Sequence, residues 1–220
     1  NFFLFLLLLE KEGIQKEVFE KNIKQVKKSI LYILQNELIK YSIENQIDYS
    51  DLSSTLLFFA YKDGYYIQGH LGDGAIGVIK NNSHSKEVIV QSKPENGSQS
   101  NITFFVTNPD ALEHFRLIGG IDEHLYGVIL MSDGPSELLY DEASGFNQNT
   151  HHIFSNFDKT TPEIYNETLK DFLENTVSKY SDDDLSLIVF YKEQINNDEK
   201  IDEKYLDYYF SGVYSDEQMI

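Results

Sequence analysis

Three aspartates stand at the ends of predicted strands, where their carboxylates could bind a cation together. Asp73 and Asp133 each follow a strand-like run, and Asp183 precedes another. In an antiparallel or mixed sheet the end of one strand lies beside the start of its neighbour, so we expect these side chains to converge on one sheet edge. Clustered carboxylates repel one another unless a cation neutralises them. Because the chain has no cysteine, the pattern favours Mg²⁺ or Mn²⁺ bound by oxygen ligands.

Glycines flank two of these aspartates, at Gly72, Gly74 and Gly134. A glycine permits a sharp turn and leaves room for an ion close to the main chain. Asp-Gly is also a common turn dipeptide, and we interpret Asp63-Gly64 as a turn only. A second reading is therefore a structural β-sandwich in which the aspartates only form turns.

The composition describes a folded and strongly acidic chain. Its 220 residues include 18 basic and 36 acidic side chains, a net charge of −18, and 41% hydrophobic residues. This apolar content is too high for a disordered chain. The negative charge disfavours nucleic acids and membrane surfaces as partners. The absence of cysteine excludes disulfides and thiol nucleophiles, and it is compatible with the reducing cytoplasm that we expect as the location.

The spacing of apolar residues predicts the elements that position the aspartates. A long amphipathic helix is predicted from Ile14 to about Ile47. Short turns join the strands that follow, which predicts an antiparallel meander. These four strands span residues 55–61, 65–71, 75–80 and 87–91.

The second half of the chain continues as a mixture of strands and helices. A strand over 102–107 is predicted to lead into a short helix that is capped by Thr107 or Asn108 and ends at Phe115. The continuous apolar run at 126–131 predicts a buried central strand. The remaining segments are a surface loop at 145–161 that exposes His151-His152, a helix at 162–180 and a strand at 185–191.

We predict one domain over residues 1–191, followed by an acidic tail over 192–220 that carries an aromatic patch. The apolar run at 2–9 is too short to span a bilayer, which takes about 20 residues. We interpret this run as the start of a buried strand or helix.

Four short motifs occur in order along the chain: SSTLL at 53–57, HLGDG at 70–74, ILMSDGPSE at 129–137 and DDDLSLIV at 182–189. In this order they resemble the metal-dependent type 2C serine/threonine phosphatases, over about residues 50 to 191. With TNPDAL at 107–112, the chain is most similar to bacterial members. The resemblance implies an α/β/β/α sandwich, in which two antiparallel sheets pack face to face between outer helices.

The resemblance also implies an activity and a set of ligands. Asp133 and Asp183 match the family's ligands for two divalent ions, and Asp73 and Glu137 match the positions that hold a third, weaker ion. The implied reaction is the hydrolysis of phosphoserine and phosphothreonine on phosphoproteins by a hydroxide that bridges two Mn²⁺ or Mg²⁺ ions. No histidine is assigned as the acid, because we expect His70 to be packed or to support a metal ligand, and His151-His152 to be exposed.

The sequence departs from the family pattern in several places. Gly74 replaces a serine and Asp184 an asparagine, and Gly134 and Asp184 are further candidate metal positions. The Arg/Asn-Glu-Asp and Asp-Gly-His-Gly motifs that precede the long helix in the family are absent. Arg116, the only arginine, lies in the wrong part of the sequence to clamp a phosphate. We expect either a fragment, which the start at Asn1 favours, or a catalytically dead relative that acts as an interaction or regulatory module.

Overall fold

The computed structural model describes residues 16–62, 64–82, 85–95, 103–155 and 161–191. The predictions for the apolar start of the chain and for the acidic tail lie outside these residues. In the described part of the chain, no helix is both long enough and apolar enough to cross a membrane.

The first helix, α1, confirms the long helix predicted from the apolar spacing. It spans Lys16–Asn45 and packs on one side of a sheet. Gln35 Nε2 donates a hydrogen bond of 2.8 Å to the Val106 carbonyl, which ties the helix to the loop beside it. The side of α1 that faces the sheet carries Ile30, Leu31, Leu34 and Leu38.

The described residues contain nine strands in three antiparallel sheets. The first sheet has the order β1-β2-β5 and the second β4-β3-β6-β9, while β7 and β8 form a short hairpin. In chain order, β1 to β9 span Leu56–Lys62, Tyr65–Leu71, Ala75–Asn82, Ser85–Ser92, Arg116–Ile121, Leu125–Met131, Tyr140–Asp141, Gly145–Phe146 and Leu187–Tyr191.

Shorter helices connect or cover the strands. The Thr161 side chain caps α5 by accepting a hydrogen bond from the Ile164 N–H. In contrast, α2 begins after Asp110, whose side chain makes no capping bond, so the predicted caps Thr107 and Asn108 were wrong. The helices are α2 Ala111–His114, α3 Asp133–Leu139, α4 Gln148–Ser155 and α5 Pro162–Asn175, with 3-10 turns at Tyr49–Leu52 and Val177–Lys179.

Strand β1 shows how the first sheet acquires two apolar faces. Successive side chains of a strand point to opposite faces. Leu56 and Phe58 pack with α1, whereas Leu57 and Phe59 pack against the second sheet. One face of this sheet is therefore covered by a helix and the other by the second sheet.

Strand β6 divides its side chains in the same way within the second sheet. Every residue of β6 is buried, which confirms the predicted central strand. Val128 and Leu130 face the first sheet, while Ile129 and Met131 pack with residues of α3 and α5. The layers follow the order helix, sheet, sheet, helix, so the predicted α/β/β/α sandwich is confirmed.

The predicted four-stranded meander was wrong, because β2 and β3 belong to different sheets. The chain crosses from one sheet to the other through Gly72, Asp73 and Gly74. Gly72 has a φ of +110°, a conformation that L side chains rarely adopt. We call residues 72–74 the crossover. The two predicted hairpins are present, but the crossover separates them.

Two segments of the middle region also differ from the prediction. The described part of 102–107 is not a strand; there Val106 N–H donates 2.9 Å to the Ser54 carbonyl in a loop contact. The strand β5 was missed because its Gly-Gly pair carries little strand signal. It forms where β2 offers a hydrogen-bonding partner along its edge.

The predicted surface loop at 145–161 was wrong in its described part, which contains β8 and α4. Tertiary contacts stabilise this polar helix: Thr150 is fully buried and its Oγ1 donates 2.8 Å to the Leu139 carbonyl. His151 and His152 therefore lie on a helix, and the side chain of His151 is half-buried.

Polar side chains are buried between the two sheets. His70 is 0% exposed, and its Nδ1 lies 2.8 Å from Ser92 Oγ in a hydrogen bond. Among the described residues, His70 Nε2 and both amide atoms of Gln68 have no hydrogen-bond partner. Burial, reinforced by the charge of Arg116, lowers the pKa of His70 to about 3. The structure confirms the packed alternative for His70, and its low pKa keeps the ring neutral at pH 7.

We expect Gly74→Ser, which introduces the residue usual in the phosphatases that the sequence resembles, to destabilise the protein. A Cβ at Gly74 would clash with the Met131 carbonyl and lie 2.6 Å from Leu57 Cδ1, so β3 and β6 would have to separate. Overpacking of this kind costs about 1–3 kcal/mol, measurable by urea unfolding. Gly120→Ser is the matched control, since the nearest contacts of a Cβ there are atoms of the Tyr66 side chain at 3.1 to 3.3 Å. Equal losses in both variants would contradict the expectation.

We expect His70 to make the fold sensitive to acid. Below pH 6.5 the unfolded chain protonates this histidine, whereas the folded chain does so only near pH 3, so stability falls as the pH drops between these values. His70→Asn retains a partner for Ser92 without the titration. Between pH 7 and pH 5 the variant should lose about 2 kcal/mol less stability than the wild type in urea unfolding. His124→Asn, at an exposed histidine, should match the wild type. Parallel pH profiles for all three proteins would refute this role.

Candidate functional site

The register of the second sheet brings three strand ends to one edge. Ala75 at the start of β3 pairs with Met131 at the end of β6, and Met131 also pairs with Leu187 at the start of β9. Asp73 precedes the first of these strands and Asp133 follows the second. We call this end of the sheet the acidic edge.

Asp73 is half-buried in the crossover, between two glycines that the packing requires. A Cβ at Gly72 would lie 2.7 Å from Thr55 Cβ, and a Cβ at Gly74 would clash with the Met131 carbonyl. Larger residues would therefore displace the main chain on either side of Asp73.

Asp133 is half-buried and is the first residue of α3. The preceding residue, Ser132, connects this helix to the segment before β9. Ser132 N–H donates 3.0 Å to the Ser186 carbonyl, and Ser186 N–H donates 3.1 Å back to Ser132 Oγ. Ser132 Oγ also lies 3.1 Å from the Asp184 carbonyl, to which it donates. These bonds hold the start of α3 beside the acidic segment 182–184.

The other predicted ligands are more open to solvent. Asp183 and Asp184 are exposed, and Asp183 N–H donates 3.3 Å to Ser181 Oγ. Gly134 lies against this segment, since a Cβ there would be 3.0 Å from the Asp184 carbonyl. Glu137 is exposed on α3, one helical turn beyond Asp133.

The acidic edge offers the donor chemistry of a hard cation without forming a complete cluster. Its side chains are carboxylates, the ligands that Mg²⁺ and Mn²⁺ prefer. Within the described ranges, no three His, Cys, Asp or Glu side chains lie close enough together to hold a metal ion. The carboxylate oxygens are the right type of donor atom for such an ion, and the assignment of individual ligands remains a prediction.

A cluster of charged residues beside the crossover was missed at the sequence level. Arg116 Nη1 donates 2.6 Å to the Lys93 carbonyl, and Nη2 donates a longer bond of 3.5 Å to the Gly72 carbonyl. Its Nε lies 3.2 Å from Glu95 Oε2 as an ion pair. Glu95 Oε1 lies 3.0 Å from His114 Nδ1. The only signal for this cluster was that Arg116 is the single arginine of the chain.

The carboxylate of Glu95 is the anionic centre of this cluster. Burial lowers the pKa of Arg116, and the charge of Glu95 opposes that shift. Burial likewise lowers the pKa of Lys27 on α1, again opposed by Glu95. The carboxylate thus stabilises the charged forms of basic groups from both the helix and the sheet.

The family model described as protein phosphatase 2C matches residues 6–174, which ends before Asp183. No curated protein sequence is significantly similar to the chain.

Solved structures of phosphatases share the fold at low sequence identity. Serine-threonine phosphatase 2C from Toxoplasma gondii has a TM-score of 0.57 and 12% identity, covering 85% of this chain and 74% of that one. Serine/threonine phosphatase Stp1 from Staphylococcus aureus has a TM-score of 0.52 and 19% identity, covering 82% and 70%. A bacterial serine phosphatase has a TM-score of 0.52 and 17% identity, covering 87% and 73%. Since the family model spans most of the sequence, the chain belongs to the protein phosphatase 2C family.

Proposed function

We propose that this chain hydrolyses phosphoserine and phosphothreonine on phosphoproteins, with Mn²⁺ or Mg²⁺ as cofactor, in the cytoplasm. Family membership supports a phosphatase function. The main support for a location of the metal site is the antiparallel register of β3, β6 and β9. This register aligns the strand ends that adjoin the acidic segments.

In this proposal the carboxylates of the acidic edge hold the ions. The main ligands are Asp133 and Asp183, and Asp73 and Glu137 hold a weaker ion, with Asp184 and Gly134 as further candidate positions. When bound, the ions neutralise the charge of the phosphate and lower the pKa of the attacking water.

In this proposal the protein's side chains position the metal ligands, and the bound cations, rather than basic side chains, neutralise the charge of the phosphate. Ser132 holds the start of α3 against the segment before β9, so the main chain at Asp133 lies near the segment that carries Asp183 and Asp184. The chain carries a net charge of −18, so an acidic edge without cations would repel a phosphate group. Arg116 is directed at Gly72, Lys93 and Glu95, which supports a phosphate site that depends on metal ions.

We expect Asp133→Asn and Asp183→Asn to abolish most of the Mn²⁺-dependent activity. Removing a residue that only hydrogen-bonds to a metal ligand lowers metal affinity or activity by about 10- to 100-fold. Removing a ligand itself should therefore lower the Mn²⁺-dependent rate by at least about 100-fold. The measurement is the rate of p-nitrophenyl phosphate hydrolysis against Mn²⁺ concentration, repeated with a phosphothreonine peptide. The melting temperature with and without Mn²⁺ gives a readout that does not require turnover.

A matched control lies near the opposite end of β6. Asp122 forms an ion pair of 3.1 Å with Lys80, away from the acidic edge. Asp122→Asn should retain wild-type hydrolysis and the full Mn²⁺ shift in melting temperature. If Mn²⁺ neither supports hydrolysis nor raises the melting temperature of the wild type, the proposal is wrong, and the fold serves as an interaction or regulatory module.

A further inference from the structure

Asp73 is the one candidate ligand with a glycine on both sides. Glycine restricts the main chain less than any other residue, so Gly72 and Gly74 by themselves leave the direction of the Asp73 side chain poorly determined. On the Gly74 side, the close approach of the Met131 carbonyl limits the chain. On the Gly72 side, Thr55 packs against the glycine, and hydrogen bonds to the Gly72 carbonyl add a second restraint.

The carbonyl of Gly72 receives those hydrogen bonds from two directions. Glu95 N–H donates 3.1 Å to it from the segment that follows β4. Arg116 Nη2 donates 3.5 Å to it from the first residue of β5. This carbonyl and the N–H of Asp73 belong to the same planar peptide unit. Fixing the Gly72 carbonyl therefore fixes the orientation of the peptide plane that contains the Asp73 N–H.

Arg116 also fixes the segment that carries the other donor. Its Nη1 donates 2.6 Å to the Lys93 carbonyl, and its Nε lies 3.2 Å from the Glu95 carboxylate as an ion pair without hydrogen-bond geometry. Glu95 is held in turn by His114, which stacks on Phe104 with 3.4 Å between ring centroids. One guanidinium thus joins the first sheet, the crossover and the segment after β4.

An arginine is suited to this task in a way that lysine is not. The guanidinium presents five N–H donors in one rigid plane, so it can serve several acceptors in fixed directions. A lysine ammonium retains the charge but is a single point on a flexible stem. Only 27% of the Arg116 side chain is exposed, so bulk water does not replace a lost contact freely.

We propose that Arg116 is a positioning residue for Asp73: by holding the Gly72 carbonyl it aims the Asp73 carboxylate at the acidic edge and sets its affinity for a divalent cation. This inference rests on the proposed function, because it takes Asp73 as a metal ligand. It assigns Arg116 no contact with substrate.

The test is a double-mutant cycle on Mn²⁺ binding, with free Mn²⁺ measured by electron paramagnetic resonance. The proteins are the wild type, Arg116→Lys, Asp73→Asn and the double variant. Asp73→Asn identifies the binding phase that depends on Asp73. Arg116→Lys should weaken that phase by about 10-fold, the lower end of the range for groups that support a metal ligand. In the double variant the lysine should add no further loss, because the two residues act through one ligand.

Two further variants separate positioning from a general loss of stability. Melting temperatures in EDTA report folding, and Lys80→Gln removes a comparable ion pair far from the acidic edge. Lys80→Gln should leave Mn²⁺ binding unchanged. If Arg116→Lys does not fold, Glu95→Gln loosens the same guanidinium and should weaken the same phase by a smaller factor.

The outcomes distinguish this inference from the proposed function. If Mn²⁺ supports hydrolysis but Asp73→Asn or Arg116→Lys leaves Mn²⁺ binding unchanged, the inference is overturned and the function stands. Losses that multiply in the double variant would also overturn it, because Arg116 would then act elsewhere. If the wild type binds no Mn²⁺, both the inference and the metal assignment fail.

Discussion

The candidate site depends on the register of one buried strand. β6 is buried along its whole length and hydrogen-bonded on both sides, so its Met131 sets where β3 and β9 begin. A slip of one residue would turn Val128 and Leu130 away from the first sheet, and the side chains next to them in sequence would face that sheet instead. The apolar faces on both sides of β6 thus hold the pairing that aligns three acidic segments. Burial of hydrophobic side chains and placement of carboxylates are here the same constraint.

Local sequence patterns predicted the elements whose formation is local. The long amphipathic helix, both tight hairpins and the apolar strand β6 carry their signals within a few adjacent residues. The assignment of strands to sheets failed at the crossover, because the direction taken after Gly72 depends on a backbone angle and on Thr55 packing against it. The segments β5 and α4 were missed for a related reason. Each has weak intrinsic propensity and forms against a partner that is distant in sequence.

The candidate site was predictable to the same extent. Aspartates near strand ends, beside glycine, could be found from spacing, and antiparallel pairing aligns the ends of the three strands next to them. The groups that hold this edge could not be found from the sequence. Arg116 and Ser132 donate to main-chain carbonyls, and every residue type has such a carbonyl, so the acceptor residues carry no sequence signal. These acceptors are Gly72, Lys93 and Asp184. The distances between the carboxylates depend on side-chain packing, which a short sequence motif does not determine.

The contact between Ser132 and Asp184 joins residues that are 52 positions apart in the chain. A loop of this length is closed only when β9 has paired with β6, so neither hairpin alone contains the acidic edge. A cation that requires ligands from both segments has no equivalent site in a partly folded chain. Its binding free energy would then add to the stability of the native state alone, and the occupancy of the edge would report the fraction of completely folded molecules.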